Sequence, residues 1–449
     1  MTDTVYALAT APGRAAIAVI RISGPDSGRA LHALGAGDLR ARRASVRLIK
    51  DGAGAPIDQA LVIRFPGPSS YTGEDMAELH VHGGPGVIEA AVAALAGLGI
   101  RAAEPGELTR RAFQNGKLGL DQAEAIADLV DAETRAQQAQ ALRQLQGSIG
   151  RRYEGWRAQL TTALAQLEAA IDFADEDIPT DTASSAAAPL GAVLEQVEAA
   201  LAGAGRGERI REGYRIAIIG APNAGKSSLF NALLERDAAI VTPQAGATRD
   251  IIEATLRLGA YRAILADMAG LRRARGVVEA EGVRRARGWA GEAELRLWVV
   301  DSAASGSRWR AAADMLREGD FCLLNKADLT QGADASSAAA HAREVGAQVS
   351  SVSLTAPGNS AVDQVRCALG ARIQNDVGGT DVPLVTRQRH RRILVEAKEH
   401  LSRAGARLGA PELAAEDVRL AARALSRVTG RIGAEDVLDE IFATFCIGK

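Results

Sequence analysis

Cysteine, aromatic residues and long apolar runs are all scarce in this sequence. Its three cysteines, Cys322, Cys367 and Cys446, have neither the spacing of a metal site nor that of a disulfide framework, which predicts a reducing, cytoplasmic location. No segment approaches the roughly 18 apolar residues of a membrane span, and the first four residues lack the features of a signal peptide. We therefore expect no membrane association.

The chain also lacks an excess of one charge, because its formal net charge is −2. No global positive field predicts nucleic-acid binding, so any RNA contact must come from a local basic patch or from a partner. The remaining composition, 47% hydrophobic and 24% charged, is ordinary for a globular protein. A length of 449 residues suggests two to four domains, each large enough for its own core.

Apolar patterns divide the chain into segments. Up to about residue 115 the sequence reads as mixed α/β, with short branched runs at residues 15–20 and 61–63. From Asp121 to about Phe173 the pattern changes, and apolar residues between Leu142 and Ile171 recur in steps of three and four, which predicts one apolar stripe on a long helix. The stripe consists of Leu142, Leu145, Ile149, Tyr153, Trp156, Leu160, Leu164, Leu167 and Ile171.

The second half of the chain changes character twice. Small polar residues at 181–189 predict a loop, and a second helical pattern begins at Leu190. From about 214 to 373, strand and helix signals alternate as in a parallel α/β domain, and a helical pattern returns from about 394 to 445. The simplest arrangement is a helical domain interrupted by an inserted α/β domain.

A glycine-rich segment follows the strand-like run 216–219. Residues 220–227 read GAPNAGKS, which matches the phosphate-loop pattern G-x-x-x-x-G-K-[ST], and a helical pattern begins at Leu229. The glycines allow backbone N–H groups to surround phosphates at the positive end of the following helix. We expect Lys226 to reach the β and γ phosphates and the Ser227 hydroxyl to bind Mg²⁺.

Two further motifs have the order and spacing of a guanine-nucleotide site. Residues 267–270 have the D-x-x-G pattern, in which Asp267 can hold Mg²⁺ through water and the Gly270 amide can meet the γ-phosphate. Residues 325–328 have the N-K-x-D pattern, in which Asp328 can accept hydrogen bonds from the ring N1–H and exocyclic amine of guanine. Adenine offers neither donor, so a buried carboxylate would stay unpaired and adenine would be rejected.

Two positions give weaker signals. Thr248, between the phosphate loop and Asp267, is a candidate second protein ligand of Mg²⁺, although an ordinary loop threonine is the alternative. Residues 353–355 stand where a backbone contact to the guanine carbonyl is usual.

The position after Gly270 raises the question of how GTP would be hydrolysed. Ras-like enzymes use a glutamine there to orient the attacking water, and Leu271 cannot do so. The amide oxygen of Asn223 is a candidate for holding a monovalent cation beside the β and γ phosphates, where it would supply the charge of an arginine finger. A loop-capping hydrogen bond is the alternative role of Asn223.

Together with the two ends of the chain, these motifs resemble the MnmE (TrmE) family of tRNA-modification GTPases. The likeness covers the whole chain, and the C-terminal Cys-x-Gly-Lys of residues 446–449, joined to a central GTPase, is highly specific to the family. The N-terminal part of the likeness lies at residues 11–14, 21–25, 71–75, 78–84, 105–107, 111–117 and 122–129.

The resemblance implies an α/β plus α fold in three parts. An N-terminal α/β domain over residues 1–116 would bind folate and mediate homodimerisation. A discontinuous helical domain would occupy residues 117–213 and 375–449, and a Ras-like P-loop GTPase (G) domain would be inserted at residues 214–374.

The implied activity is that of a K⁺-activated GTPase. It would work in a heterotetramer with the flavoprotein MnmG (GidA), which carries FAD and uses NADH. Together they would install an aminomethyl or carboxymethylaminomethyl group on C5 of the wobble uridine of tRNA. The folate, 5-formyl- or methylene-tetrahydrofolate, would be held by Arg21, Glu78, Lys117 and Lys449, of which Glu78 suits the amide-like face of the pterin.

The resemblance also assigns residues to the GTPase reaction. K⁺ would be held by Asn223 and by the loop carbonyls of Thr242, Gln244 and Ala247, in a site completed when two GTPase domains meet. The catalytic candidates are Lys226, Glu279, which would act through a bridging water with Glu281 as the alternative, and Cys446, a candidate nucleophile. The implied nucleotide contacts are Asn223, Ala224, Gly225, Lys226, Ser227, Ser228, Thr242, Pro243, Gln244, Ala245, Gly246, Ala247, Thr248, Asp267, Met268, Ala269, Gly270, Asn325, Lys326, Ala327, Asp328, Ser353, Leu354 and Thr355.

Three positions depart from the family pattern. Met268 and Ala247 stand where threonine is usual, and Gly116 stands where aspartate is usual. We expect Met268 to matter little, Ala247 to loosen loop closure, and Gly116 to affect folate affinity.

Two other functions compete with this interpretation. A GTP-switched ribosome-assembly factor of the Era or Der type shares the central motifs but lacks both chain ends and usually carries an RNA-binding appendage. A signalling switch is disfavoured by Leu271.

Overall fold

The computed structural model describes most of the chain. It covers residues 3–172, 182–235, 252–268, 277–354, 360–379 and 383–430, with 438, 441–443, 445 and 448, and at residues 182 and 277–283 it describes the backbone alone. One compact unit consists of Met1–Asp131, Ala141–Ala199 and Arg389–Lys449, and the other of Ala132–Gln140 and Ala200–Gln388. The division into three domains with boundaries after residues 116, 213 and 374 stays a prediction.

The secondary structure is mixed. The strands are β1 (Val5–Leu8), β2 (Ile17–Ser23), β3 (Ser45–Lys50), β4 (Pro56–Phe65), β5 (Met76–His82), β6 (Arg101–Ala102), β7 (Tyr214–Ile219), β8 (Ile252–Leu258), β9 (Tyr261–Asp267), β10 (Leu295–Asp301), β11 (Phe321–Asn325) and β12 (Gln348–Ser351). The helices are α1 (Ser27–Ala33), α2 (Pro85–Gly97), α3 (Glu107–Gln114), α4 (Leu120–Val130), α5 (Arg135–Leu145), α6 (Ser148–Asp172), α7 (Thr182–Ser185), α8 (Ala187–Ala202), α9 (Ala204–Glu212), α10 (Lys226–Leu234), α11 (Val277–Glu292), α12 (Ala333–Val345), α13 (Ser360–Val377), α14 (Gln388–Ala406) and α15 (Pro411–Ser426).

The first unit contains a six-stranded sheet of order β3-β4-β5-β2-β1-β6. Neighbouring strands are antiparallel except for β1 and β6, which are parallel. Alternate residues of β2 and β5, such as Ile20, Ile22 and Leu79, are fully buried in one apolar core, which is the pattern of a sheet with one covered face. The runs predicted as strands at residues 15–20 and 61–63 correspond to β2, which begins at Ile17, and to the middle of β4.

The single long helix predicted over residues 142–171 is wrong. Helix α5 ends at Leu145 and α6 begins at Ser148, and Gly147 between them has a φ of +79°, a left-handed conformation that ends a helix. Leu142 is 42% exposed and so lies outside the core. The apolar stripe is confirmed within α6, where the buried members are Ile149, Tyr153, Trp156, Leu160 and Leu167.

The loop predicted at residues 181–189 is also wrong for its described part. Helix α7 occupies Thr182–Ser185 and α8 begins at Ala187. The segment is rich in alanine, which has the highest helix propensity and outweighs the small polar residues between. The helical patterns predicted from Leu190 and from about residue 394 are confirmed by α8, α14 and α15.

The second unit contains the predicted parallel α/β sheet. Its order is β12-β11-β10-β7-β9-β8, and only β8 runs antiparallel to its neighbour. Central strand β7 is buried on both faces, because Ile216 and Ile218 belong to one apolar cluster and Ala217 and Ile219 to another. Such a sheet brings the carboxyl ends of β7, β9, β10 and β11 to one edge.

Within the described parts of the chain, no helix is both long enough and apolar enough to cross a membrane.

Candidate functional site

The phosphate loop joins β7 to α10 and depends on two glycines. Gly220 has a φ of +142°, and a Cβ added there would lie 2.2 Å from the carbonyl oxygen of Val299. Gly225, at the start of α10, has a φ of +102°, and its added Cβ would lie 2.1 Å from Nδ2 of Asn325. Both glycines of the motif are therefore required by backbone conformation and by close approach of the neighbouring strands.

Lys226 lies beneath this loop. Its side chain is 7% exposed, and Nζ donates a hydrogen bond to the carbonyl oxygen of Ala221 at 2.9 Å. The ammonium group is thus held inside the curve of the loop, as expected for a lysine that meets phosphates.

The predicted base-reading segment is bonded directly to the phosphate loop. Asn325 Nδ2 donates to the carbonyl oxygen of Ala224 at 2.9 Å, and Lys326 Nζ donates to that of Asn223 at 3.2 Å. Lys326 also pairs with Asp301 Oδ2 at 2.5 Å. Two motifs about 100 residues apart in sequence therefore form one site. Asp301 was not predicted as part of this site, although an acidic residue that ends the buried strand β10 was a usable signal.

Asp267 and Ser227 form a candidate magnesium site. Asp267 ends β9 beside β7, and Ser227 Oγ donates to its Oδ2 at 2.6 Å. Asp267 is 2% exposed, and its buried Oδ1 has no described hydrogen-bond partner. A buried carboxylate oxygen without a partner is costly, and hydroxyl and carboxylate oxygens are the ligands that Mg²⁺ prefers. The donor set therefore fits Mg²⁺.

Met268, the neighbour of Asp267, faces the opposite way. Its side chain is fully buried in the apolar cluster beneath the sheet, while its backbone N–H donates to the carbonyl oxygen of Ile218 at 3.2 Å. The departure from threonine at this position is thus accommodated by the core. Among the residues that the structure describes, no cluster of three or more His, Cys, Asp or Glu could hold a metal ion.

Asp328 lies at the outer end of the site. Its Oδ1 accepts a hydrogen bond from Ser353 Oγ at 2.6 Å, and this bond holds the pKa of Asp328 below its ordinary value. The expectation of a buried carboxylate is wrong, because Asp328 is exposed on the segment that follows β11. Its neighbour Ala327 donates from the backbone to Val352, which places the half-buried Leu354 beside the same edge.

The first unit carries a second cluster of predicted site residues. Arg21 and Glu78 are cross-strand neighbours in β2 and β5, joined by an ion pair of 3.0 Å between Nε and Oε1. Arg21 also lies over the ring of Tyr71, 5.6 Å from its centroid, and Glu78 Oε2 contacts His80 Nε2 at 3.1 Å. The result is a half-buried platform with an aromatic face, donors and acceptors. Tyr71 and His80 were not predicted as members of it.

The C-terminal end of the chain reaches this platform. Arg21 Nη1 donates to the carbonyl oxygen of Gly448 at 3.5 Å. Gly448 has a φ of +99°, and a Cβ added there would lie 2.2 Å from the carbonyl oxygen of Leu8, at the end of β1. Glycine is therefore needed where the last residues pack against the sheet.

Lys117 belongs to the neighbouring loop. Its exposed Nζ donates to the carbonyl oxygen of Pro68 at 3.0 Å, and Pro68 lies in the β4–β5 loop that also carries Tyr71. Gly116, a departure from the family pattern, has a φ of +67° with open space around it. Aspartate tolerates this left-handed conformation better than most residues, so the two residue types suit the same turn.

Two family models match consecutive parts of the chain. The GTP-binding protein TrmE N-terminus matches residues 4–117, and the MnmE helical domain matches residues 120–446. Curated relatives named tRNA modification GTPase MnmE are 55% identical in Phenylobacterium zucineum, 53% in Caulobacter vibrioides and 49% in Paramagnetospirillum magneticum, in each case over 100% of both chains.

The chain belongs to the MnmE family. The resemblance stated from the motifs is thereby confirmed, and the full-length matches favour a tRNA-modification GTPase over a ribosome-assembly factor. The solved G domain of the T. maritima FeoB iron transporter matches 35% of this chain and 98% of its own, at 20% identity. Its TM-score of 0.27 is too low to define the fold, which rests on the strand order of the second unit.

Other predicted residues of this MnmE-family site are not described. Glu279 lies in α11, of which only the backbone is described at that position, as is the case for Glu281. The positions outside the described residues are Thr242, Pro243, Gln244, Ala245, Gly246, Ala247, Thr248, Ala269, Gly270, Leu271, Thr355, Cys446 and Lys449.

Proposed function

We propose that this chain hydrolyses GTP to drive a modification of tRNA. The observation that supports this most strongly is the hydrogen bonding of Asn325 and Lys326 to the phosphate loop. These bonds hold the candidate guanine-reading segment next to the candidate phosphate site. In the MnmE family reaction the partner is the flavoprotein MnmG (GidA), with FAD and NADH. The product carries an aminomethyl or carboxymethylaminomethyl group at C5 of the wobble uridine.

Binding of GTP depends on residues with distinct tasks. Lys226 contacts the β and γ phosphates, and Asp328 accepts hydrogen bonds from the guanine edge. Ser227 and Thr248 would hold Mg²⁺, with Asp267 contributing through water, and the ion would supply positive charge beside the phosphates. The buried Oδ1 of Asp267 supports this role, because a carboxylate in that position needs a partner.

Hydrolysis needs additional positive charge, because Leu271 cannot orient water and the variable loop positions 221–223 hold no arginine. We assign this role to K⁺, which the Asn223 amide oxygen and the carbonyls of Thr242, Gln244 and Ala247 would hold. Glu279 would orient the attacking water through a second water. The cation site would be complete only when two GTPase domains meet, which would make the homodimer the active form.

The platform of Arg21 and Glu78 is proposed to bind the folate. Glu78 accepts from the amide-like edge of the pterin, while Tyr71 offers an aromatic face. Lys117 and Lys449 suit the glutamate tail. A 5-formyl- or methylene-tetrahydrofolate bound there would supply the one-carbon unit. The packing of Gly448 on the sheet supports a place for the C-terminal residues beside it. We assign this chemistry to the cytoplasm, as the cysteine content predicts.

The C-terminal tail allows a test that separates GTP hydrolysis from modification. Removal of residues 446–449 should leave GTP turnover near normal, because the tail packs near Arg21 in the first unit and the nucleotide motifs lie in the second. The modified wobble uridine should disappear from tRNA of a strain that carries only the truncated protein, as measured by nucleoside analysis. Full modification would overturn the assignment of the tail to the reaction.

Two single substitutions refine this test. Lys449→Ala should weaken folate binding, whereas Cys446→Ser should leave binding intact and reduce modification only if the thiol is the nucleophile. Measurement of folate affinity and modified uridine in both variants assigns the role of each residue.

A further inference from the structure

The N-terminal part of α6 forms a basic groove in the first unit. A cavity of about 310 Å³ is lined by Ser148, Arg151, Arg152, Gly155, Trp156, Gln159 and Gln196. Its polar lining comes from two arginines, two glutamines and a serine, without a carboxylate. In a chain whose net charge is −2, this is a local concentration of positive charge.

The two arginines of the groove are exposed, and their described hydrogen bonds go to uncharged groups. Arg151 donates to the carbonyl oxygen of Gln146 at 2.7 Å, and Arg152 donates to Oε1 of Gln196 at 3.4 Å. Both acceptors are neutral, and within the described parts of the chain no ion pair joins either arginine to a carboxylate. Two guanidinium groups held this way are suited to phosphate oxygens, which arginine binds through paired N–H donors.

The floor of the groove is held by hydrogen bonds between α6 and α8. Trp156 is buried and donates from Nε1 to Oε1 of Gln196 at 3.0 Å, while Gln196 Nε2 donates to the carbonyl oxygen of Ala192 at 3.0 Å. The amide that contacts Arg152 is therefore fixed by two further hydrogen bonds. Gly155, which also lines the groove, would have open space around an added Cβ, so the groove is wide at this point.

A second cavity adjoins the groove and shares Arg151 with it. It has a volume of about 660 Å³, within the range of sites for small molecules, and lies between the starts of α4 and α6. Asp121 and Glu154 line it together with Lys117 and Arg151. Asp121 is 2% exposed, and its buried Oδ2 has no described hydrogen-bond partner. Carboxylates repel phosphate but accept hydrogen bonds from the N–H groups of a nucleobase.

We propose that the groove binds the phosphate backbone of single-stranded RNA and that the adjoining cavity takes one unstacked base. The inference rests on the proposed function, since tRNA is the RNA concerned, and names where it is held. Sequence-specific proteins read RNA mainly at unpaired loops, whose bases are splayed away from the strand. The groove offers arginines without carboxylates, which suits the phosphate of a nucleotide. The cavity offers carboxylates, which suits the base.

The groove is tested with the full-length protein and a labelled anticodon stem–loop RNA. Arg151→Gln with Arg152→Gln should weaken binding at least about tenfold and lower the slope of log K against log salt by about 1.4, since each contact to a single strand contributes about 0.7. Arg40→Gln with Arg43→Gln removes the same charge from exposed positions between α1 and β3 and should change neither quantity. Equal losses in both pairs, or no loss, would overturn the groove.

The cavity is tested with stem–loops in which each unpaired base is replaced in turn by an abasic site. The unmodified protein should bind one abasic RNA more weakly, and Asp121→Asn should shrink that difference without changing the salt slope. Glu154→Gln, at a half-buried position, provides a second variant if Asp121→Asn does not fold. Identical discrimination by all three proteins would overturn the base site.

Two further readouts separate this proposal from its alternatives. If the variant with both arginines replaced no longer supports tRNA modification but binds RNA normally, the groove binds the flavoprotein and the RNA proposal is overturned. GTP turnover on the same preparations tests the proposed function independently. If GTP turnover is normal and the two arginine substitutions leave RNA affinity unchanged, the RNA-binding role of the groove is wrong and the proposed function still stands.

Discussion

At the scale of single residues, the proposed recognition of guanine depends on one exposed carboxylate, that of Asp328. The Ser353 hydroxyl donates to one oxygen of Asp328 and holds the pKa of this carboxyl below its ordinary value. An ionised carboxylate can only accept hydrogen bonds, and guanine presents two adjacent donors. The sequence motif predicted this residue, but its partner Ser353 was predicted only for a backbone contact.

Replacement of this carboxylate by an amide should exchange the base preference. Asp328→Asn offers a donor, which suits the second carbonyl of xanthine and leaves the guanine amine without an acceptor. We expect kcat/KM for GTP to fall by about 100-fold or more while that for XTP rises, because unpaired polar groups are strongly rejected in such sites. Steady-state kinetics with both nucleotides measures this. An unchanged preference for GTP would remove Asp328 from the base site.

Asp121 gives a pH-dependent prediction. Burial, and then the nearby charge of Glu124, raises the pKa of Asp121 from 3.8 to about 6. The folded state therefore binds the carboxyl proton of Asp121 more tightly than the unfolded state does. The contribution of this proton to the free energy of unfolding is present at low pH and is lost as pH rises from about 4 to about 6. The Asp121→Asn variant has no such loss. The Tm of the variant minus the Tm of the unsubstituted protein should therefore be larger at pH 7.5 than at pH 4.5. A difference that stays constant would show that Asp121 titrates normally.

At the scale of elements, short strands were easier to predict than breaks between helices. Strands β7, β9 and β11 are continuous apolar runs that end at polar motifs, because both faces of a parallel sheet are buried. The break at Gly147 was missed because the apolar spacing continues across it from Leu145 to Ile149. Periodicity reports which face is buried, whereas the end of a helix depends on one backbone conformation.

The turn from β7 to α10 should tolerate no side chain at its last glycine. Gly225→Ala places a Cβ 2.1 Å from Asn325 Nδ2 in a left-handed conformation, so we expect GTP binding to be lost. Gly288→Ala in α11 meets nothing within 4 Å and should preserve binding, with a gain in stability of about 0.5–1 kcal/mol. Titration with a fluorescent GTP analogue compares the two. Equal binding by both variants would contradict the close contact between the loop and Asn325.

At the scale of the whole molecule, two long-range contacts differ in how predictable they were. The approach of Asn325 to Ala224 follows from the parallel sheet, whose strands end at one edge. The approach of Gly448 to Arg21 joins residues 427 apart in sequence, and no periodicity indicates it. A contact between the two ends of a chain depends on the tertiary packing of all the residues between them. For this reason, only the family resemblance predicted that the C-terminal residues lie beside the folate motifs.

Hydrolysis should depend on K⁺ and on the pairing of two GTPase domains. An arginine finger contributes roughly 10³–10⁵ in kcat in related enzymes, so a cation that replaces it should have a large effect. We expect the initial rate in KCl to exceed that in NaCl at equal ionic strength by at least about tenfold, and Asn223→Ala to abolish the difference. The rate per molecule should also rise with protein concentration. Equal rates in both salts would rule out the cation mechanism.

The relative rates of GTP and ATP hydrolysis decide whether this chain is a guanine-nucleotide hydrolase. The purified full-length protein, with Mg²⁺ and KCl, should turn over GTP without an exchange factor and ATP at least about 100-fold more slowly, because adenine offers no donor pair to Asp328. Comparable rates for the two nucleotides would contradict the guanine assignment and, with it, the role given to the residue 325–328 motif.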